Sequence, residues 1–376
     1  MIHGGDVYTN GLLKGKKLID YSSNINPLGV PKSFTDNVNE AVSALTRYPD
    51  IQYRDVLKSL NEYTGCSEEY FVLGNGAAEI IDLVISCHKS LLIVVPSFVE
   101  YEIDAKRWNC RIEFSYLKQN KDENVLLKHE YDQLSYDYED ILNKLQNVEG
   151  LILGNPNNPN GNIIDKNEFH KILKYCDSNN KVIIIDEAFI EFTGDAGHSF
   201  LNEVKDYKCL FIIRALTKFF AMPGIRFGYG ISSNNDLIKR MKDKQNPWNI
   251  NCFAQVAACH VLKDELYIEK SKEWIREERP RFMKLLKNIS FINKVFSTFG
   301  NYVLCKLDGH TFERGLNSEE LYKLCLVRGF VIREVDNFRG LNNQYIRLAI
   351  KDNERNEKLI TVFKNIRLGS KDMGVE

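Results

Sequence analysis

The sequence predicts an α/β fold: a large domain with a mostly parallel sheet sandwiched by helices, plus a smaller α+β domain. Three observations predict it. Apolar runs too short for helices, rich in β-branched and aromatic residues, alternate with helical patterns. After one long, highly charged helix the chain changes to shorter strands. A length of 376 residues is also more than one core commonly organises.

In chain order, residues 70–73, 91–95, 151–153, 182–185, 210–213 and 227–231 read as buried parallel strands. Helical patterns at 77–88 and 165–179 lie between them, as crossover connections require. Residues 267–287 form the long charged helix, which Pro280 is expected to kink. Strands at 302–305, 331–333 and 345–348 follow. The shift places 45–270 in the large domain, and 1–44 with 271–376 in the small domain and an N-terminal substrate segment. From residue 369 onward the chain is polar and expected to fray.

Fifty basic residues against 51 acidic ones leave no global field favouring nucleic acid or an anionic membrane. The apolar runs are too short to span a bilayer, and Met1–Asp6 shows neither a basic nor an apolar signal region. A cytoplasmic enzyme is the expectation. Nine dispersed cysteines without a C-x-x-C pair read as reduced thiols, and no metal site is expected.

Ligands of open α/β sheets bind beyond the carboxyl ends of the strands, so the residues following each run matter most. Gly74-Asn75-Gly76-Ala77 opens a helix, where small residues let backbone N–H groups approach an anion. A third glycine is missing, so a dinucleotide fingerprint is not met. The eight residues Gly154–Gly161 hold two Asn-Pro steps, a turn-rich loop at a strand end. Asp186 ends an apolar strand, where a carboxylate needs a cationic partner, a salt bridge or a capping role. Lys218 is bracketed by apolar and aromatic residues, a setting that lowers an amine pKa and makes it nucleophilic. Arg226 supplies a second cation suited to a phosphate.

This combination, in this order, resembles the fold-type I pyridoxal-phosphate enzymes, the class I/II aminotransferase superfamily, over almost the whole chain. The resemblance implies pyridoxal 5'-phosphate as cofactor, carried on Lys218 as a Schiff base, with Thr217 beside it. It implies that Asp186 pairs with the pyridine nitrogen and that Asn158 hydrogen-bonds the phenolic oxygen. Gly76, Ala77 and Arg226 would hold the phosphate, and Phe98 would stack on the ring. Tyr53 matches a tyrosine that reaches the neighbouring subunit's cofactor, which implies a homodimer with shared active sites. Arg347 matches the arginine that takes the substrate carboxylate, with Arg333 a strand earlier. Three residues depart from the usual pattern: Ala215 for a phosphate-binding serine, Asn160 for a threonine, and Phe189 for a tyrosine.

The opening His3-Gly4-Gly5-Asp6 and the stretch from Asp20 to Gly29 resemble the threonine-phosphate decarboxylases of cobalamin biosynthesis. The histidinol-phosphate aminotransferases are next nearest. The first resemblance implies that His3 and Asn24 contact a substrate phosphate, and that L-threonine O-3-phosphate is decarboxylated to (R)-1-amino-2-propanol phosphate. The second implies transamination with 2-oxoglutarate or glutamate. A small phosphorylated amino-acid-like substrate is common to both, and the choice between them stays open at this point.

Overall fold

A computed structural model describes residues 3–119, 131–308 and 316–366; the fraying expected from residue 369 lies outside these. Seven strands build the larger sheet: β1 (Phe71–Gly74), β2 (Ser90–Val95), β3 (Arg111–Tyr116), β4 (Gly150–Gly154), β5 (Val182–Asp186), β6 (Leu210–Ala215) and β7 (Gly228–Ile231). Their order is β1-β7-β6-β5-β4-β2-β3. Neighbours run parallel except at β7, which is antiparallel to both β1 and β6.

Two readings of these strands need correcting. Residues 227–231 are not parallel to the rest. Residues 216–227, between β6 and β7, hold only one 3-10 turn, Pro223–Ile225, and no α-helix, whereas a parallel crossover is usually helical. Strand β3 escapes sequence reading because it is an edge strand, mostly half-exposed, whose charged and apolar residues alternate.

Strands β2, β4 and β6 are buried along their full length. Alternate side chains enter different cores: Leu151, Leu153, Ile183 and Ile185 pack on one face, Ile152 and Ile184 on the other. Helix α1 (Ala77–Ser86) follows β1, α2 (Glu100–Arg107) follows β2, and α3 (Lys166–Ser178) precedes β5, capped by Asp165 through Asn167 N and Glu168 N. Helix α4 (Glu265–Lys287) runs unbroken through Pro280. No helix among the described residues is long and apolar enough to cross a membrane.

The smaller sheet is antiparallel: β8 (Ile292–Val295), β9 (Tyr302–Leu307), β10 (Arg333–Glu334) and β11 (Tyr345–Ala349), in the order β8-β9-β11-β10. The strand expected at 331–333 is divided here. Val331 pairs with Asp20 in a separate parallel ladder, while Arg333 pairs with Arg347. The N-terminal segment supplies the first partner, so the chain changes sheets at Ile332. One continuous core, including Tyr21, Leu153, Tyr302, Ile346 and Leu348, joins the two sheets.

Candidate active site

Because β1, β2, β4, β5 and β6 point the same way, the loops at their carboxyl ends converge on one cavity of about 270 Å³. Lys218, Thr217, Asp186, Asn158, Ala77, Phe98 and Arg226 line it, together with His3, Asn24, Arg333 and Arg347. Of the residues singled out in the sequence, Gly76, Tyr53 and Asn160 are not in its wall. Gly76 stands behind Ala77 against Arg226. The Tyr53 hydroxyl donates to Asn249 Oδ1 at 3.0 Å, away from the cavity of its own chain.

Lys218 is half-buried, its amine 6.0 Å from the centre of the Phe189 ring. Burial lowers its pKa to about 8, and Arg347, Lys351 and Arg226 add to the effect. Asp186 shares the cavity. Its Oδ2 accepts from the Tyr101 hydroxyl at 2.6 Å, and its Oδ1 from Ala188 N at 2.9 Å. Burial raises the pKa of this carboxyl, and the Tyr101 and Ala188 hydrogen bonds act against the rise. The bland alternatives for a strand-end acid belong to the next residue: Glu187 is fully buried and paired with Arg214 at 2.8 Å. Asp186 has no such partner and faces the cavity.

At the mouth of α1 the backbone is set for an anion. Gly76 has φ of +86°, and a Cβ there would stand 2.3 Å from Arg226 Nη2. Arg226 is itself left-handed, with φ of +58°, and donates from Nη2 to Asn75 O and from Nη1 to Pro223 O, each at 3.2 Å. A guanidinium is thus pinned beside the N-terminus of a ten-residue helix.

A second cationic group lies on the smaller sheet. Arg333 and Arg347 are cross-strand partners, 3% and 6% exposed. Arg347 donates to Asn158 Oδ1 and, at 2.8 Å, to Ser22 O; its buried Nε has no hydrogen-bond partner among the described residues. Burial, with Arg333 nearby, lowers the Arg347 pKa to about 9. Asn24 is buried, and its Oδ1 is likewise unsatisfied. The N-terminal segment closes this end. A Cβ on Gly4 would meet Ser22 O at 2.2 Å, and Gly5 N donates to Ser22 Oγ at 2.7 Å. His3 reaches Glu100 Oε1 at 3.0 Å.

With this geometry in place, the known proteins most similar to the chain can be compared with it. The family model for aminotransferase class I and II matches residues 16–363. The chain belongs to this family. Over 368 residues it is 39% identical to a Caldanaerobacter subterraneus protein provisionally named threonine-phosphate decarboxylase, covering 97% of this chain and 93% of that one. It is 30% identical to the threonine-phosphate decarboxylase of Salmonella typhimurium, covering 98% and 97% of the two chains. A solved structure described as histidinol-phosphate aminotransferase from Clostridium acetobutylicum is 51% identical, with a TM-score of 0.84, covering 92% of this chain and 98% of that one.

The aminotransferase family depends on pyridoxal 5'-phosphate, and the cavity fits that group. It offers a depressed-pKa lysine, a carboxylate, an aromatic ring in Phe98, and a glycine-bounded anion cradle with Arg226. Ala215 lines the wall and brings no hydroxyl to it, and Phe189 meets Lys218 with its ring face. Sequence reading missed Tyr101, Ser22, Ser23 and Phe338, all of which line the cavity. Tyr101 lies five residues after Pro96, beyond the end of β2, where only the turn of α2 brings its hydroxyl to Asp186.

Proposed function

We propose that the chain is a cytoplasmic enzyme of cobalamin biosynthesis that decarboxylates L-threonine O-3-phosphate to (R)-1-amino-2-propanol phosphate. The observation that carries the reading is the placement of His3 and Asn24 in the same cavity as the opposed Arg333 and Arg347. Threonine phosphate brings two anions, a carboxylate and a phosphate, to two facing guanidiniums. Histidinol phosphate brings only one. The named relatives at 39% and 30% identity support the same reading.

In this mechanism bound pyridoxal phosphate supplies an electron sink for charge left at the substrate Cα. Lys218 would carry the cofactor and, with a pKa of about 8, take or return a proton at Cα near neutral pH. Asp186 would hold a proton on the ring nitrogen, itself oriented by Tyr101. Gly76, Ala77, Thr217 and Arg226 would hold the cofactor phosphate, Phe98 the ring face, and Asn158 the phenolic oxygen. Arg333 and Arg347 orient the substrate carboxylate and phosphate, which selects the Cα bond that breaks. His3 and Asn24 would complete the phosphate site, beside the close approach of Gly4 to Ser22.

The same reading makes the protein a homodimer with Tyr53 serving the partner's cofactor. Support comes from exposed apolar side chains close to Tyr53 in sequence, Leu45, Tyr48 and Ile51, and from the exposed Trp248. Tyr48 and Trp248 pack ring to ring at 4.8 Å.

The 51% identical solved structure supports a second reading, histidinol-phosphate transamination. Glutamate, its amino donor, also carries two anions, so turnover separates the readings better than binding does. Purified enzyme with cofactor is incubated with threonine phosphate, or with histidinol phosphate and 2-oxoglutarate. Carbon dioxide released without any keto acid supports decarboxylation. Glutamate formation from the second mixture, with no carbon dioxide from the first, assigns the enzyme to transamination.

A further inference from the structure

Three consecutive residues beyond β10 connect the substrate end of the cavity to the far wall. Asn337 Oδ1 accepts from Arg333 Nη2 at 2.9 Å. The Phe338 ring lies 5.5 Å from the Arg333 guanidinium carbon. Arg339 turns away from the cavity and forks onto Glu102 in the first turn of α2, at 2.8 Å from Nε and 2.6 Å from Nη2. The Arg339 guanidinium also stacks on Phe114 of β3, 4.2 Å from the ring centre. Glu102 accepts from Lys106 as well, at 2.6 Å.

Little slack separates the two ends of this connection. Phe338 is buried and packs with Val99, the residue before α2. The loop closes on itself through Phe338 N to Val335 O at 3.1 Å and Leu341 N to Phe338 O at 3.0 Å. A lone exposed ion pair contributes little, but a two-bond fork fixes orientation as well as distance. Here the fork is also stacked on an aromatic ring, and its carboxylate is largely shielded from solvent.

We propose that the Glu102–Arg339 pair is a latch that positions Arg333 for the substrate's anionic group, though neither residue touches substrate. The inference rests on the reading that Arg333 binds that group. It makes Glu102 and Arg339 positioning residues for affinity, set on α2 and on the loop after β10.

The test uses cofactor-loaded enzyme and the variants Glu102→Gln and Arg339→Lys, with the exchange Glu102→Arg/Arg339→Glu. KM and kcat are measured for threonine phosphate, and the Kd of inorganic phosphate by calorimetry. For the single variants KM and Kd are expected to rise about five-fold, with kcat within about two-fold of wild type. The exchange restores a large part of the affinity. Higher ionic strength narrows the gap between wild type and Glu102→Gln, because a partly exposed pair is screened. Unchanged phosphate affinity in folded Glu102→Gln overturns the latch, as does a fall in kcat matching the rise in KM. Should wild type fail to turn over threonine phosphate, the functional reading falls, while the phosphate Kd still decides the latch.

Discussion

Arg333 and Arg347 face each other on neighbouring antiparallel strands, 3% and 6% exposed, with the buried Nε of Arg347 lacking a hydrogen-bond partner among the described residues. Like charges placed directly opposite destabilise a sheet, and buried charges need counter-charges. Asp336 and Glu334 offset part of the Arg333 charge, and an anion lying between the two guanidiniums would offset more. Substituting Arg333→Met is therefore expected to weaken substrate affinity roughly 10- to 100-fold, the worth of a charge-assisted hydrogen bond. Tm of the substrate-free protein should change little, because relief of the repulsion with Arg347 offsets the lost Asn337 hydrogen bond and Phe338 contact. A lower Tm with unchanged affinity would show the pair to be structural.

Lys218 carries the opposite lesson about pH. Burial lowers its pKa to about 8 in the folded chain, against an ordinary value near 10.5. Below about pH 8 both states bind the proton and the folded protein bears the full cost of a buried charge. Between that pH and about 10.5 the unfolded chain binds more protons, so stability rises with pH. Cofactor-free Lys218→Met should melt higher than wild type at pH 7, and the gap should close as pH rises. Melting curves that stay parallel from pH 7 to about 10.5 would contradict the depressed pKa.

Removing Asp186 should separate chemistry from cofactor binding. Asp186→Ala is expected to lose turnover yet retain much of its cofactor, since Gly76, Ala77 and Arg226 form a separate anion cradle. Tyr101→Phe is gentler: it deletes a hydrogen bond that holds the Asp186 pKa down, so the acid limb of the pH profile should move upward. Near-normal turnover in Asp186→Ala would mean the ring nitrogen has another partner.

Gly76→Ala should damage the cradle itself. The new Cβ would stand 2.3 Å from Arg226 Nη2, on a backbone whose φ of +86° suits glycine. Cofactor affinity, followed by absorbance titration, is expected to fall about ten-fold or more through displacement of Arg226 and roughly 1–3 kcal/mol of backbone strain. Affinity within about two-fold of wild type would show that the phosphate sits elsewhere.

Strands β1, β2, β4, β5 and β6 were legible because each is a short apolar run buried on both faces. Edge strand β3 was not, since it alternates, and neither was the antiparallel hand of β7, whose connection from β6 carries no α-helix. The strand-end residues were legible for a related reason: parallel strands place their carboxyl ends together, so their chain order announces one site. Tyr101, Ser22 and Phe338 gave no such signal, because each reaches the cavity through packing from a different segment.

By itself, the sequence determined the α/β class and the strand-end residues Asp186, Lys218 and Arg226 through local pattern, and the family and Asn158 through resemblance. Resemblance also names His3, Asn24, Arg333 and Arg347 as substrate residues, but only the tertiary structure shows how they reach the same cavity. These four come from the first residues of the chain and from two late strands, far apart in sequence. Their meeting depends on the N-terminal ladder of Asp20 with Val331 and on the pairing of β10 with β11. Register between distant strands is fixed by the burial of whole faces, which no local stretch of sequence contains.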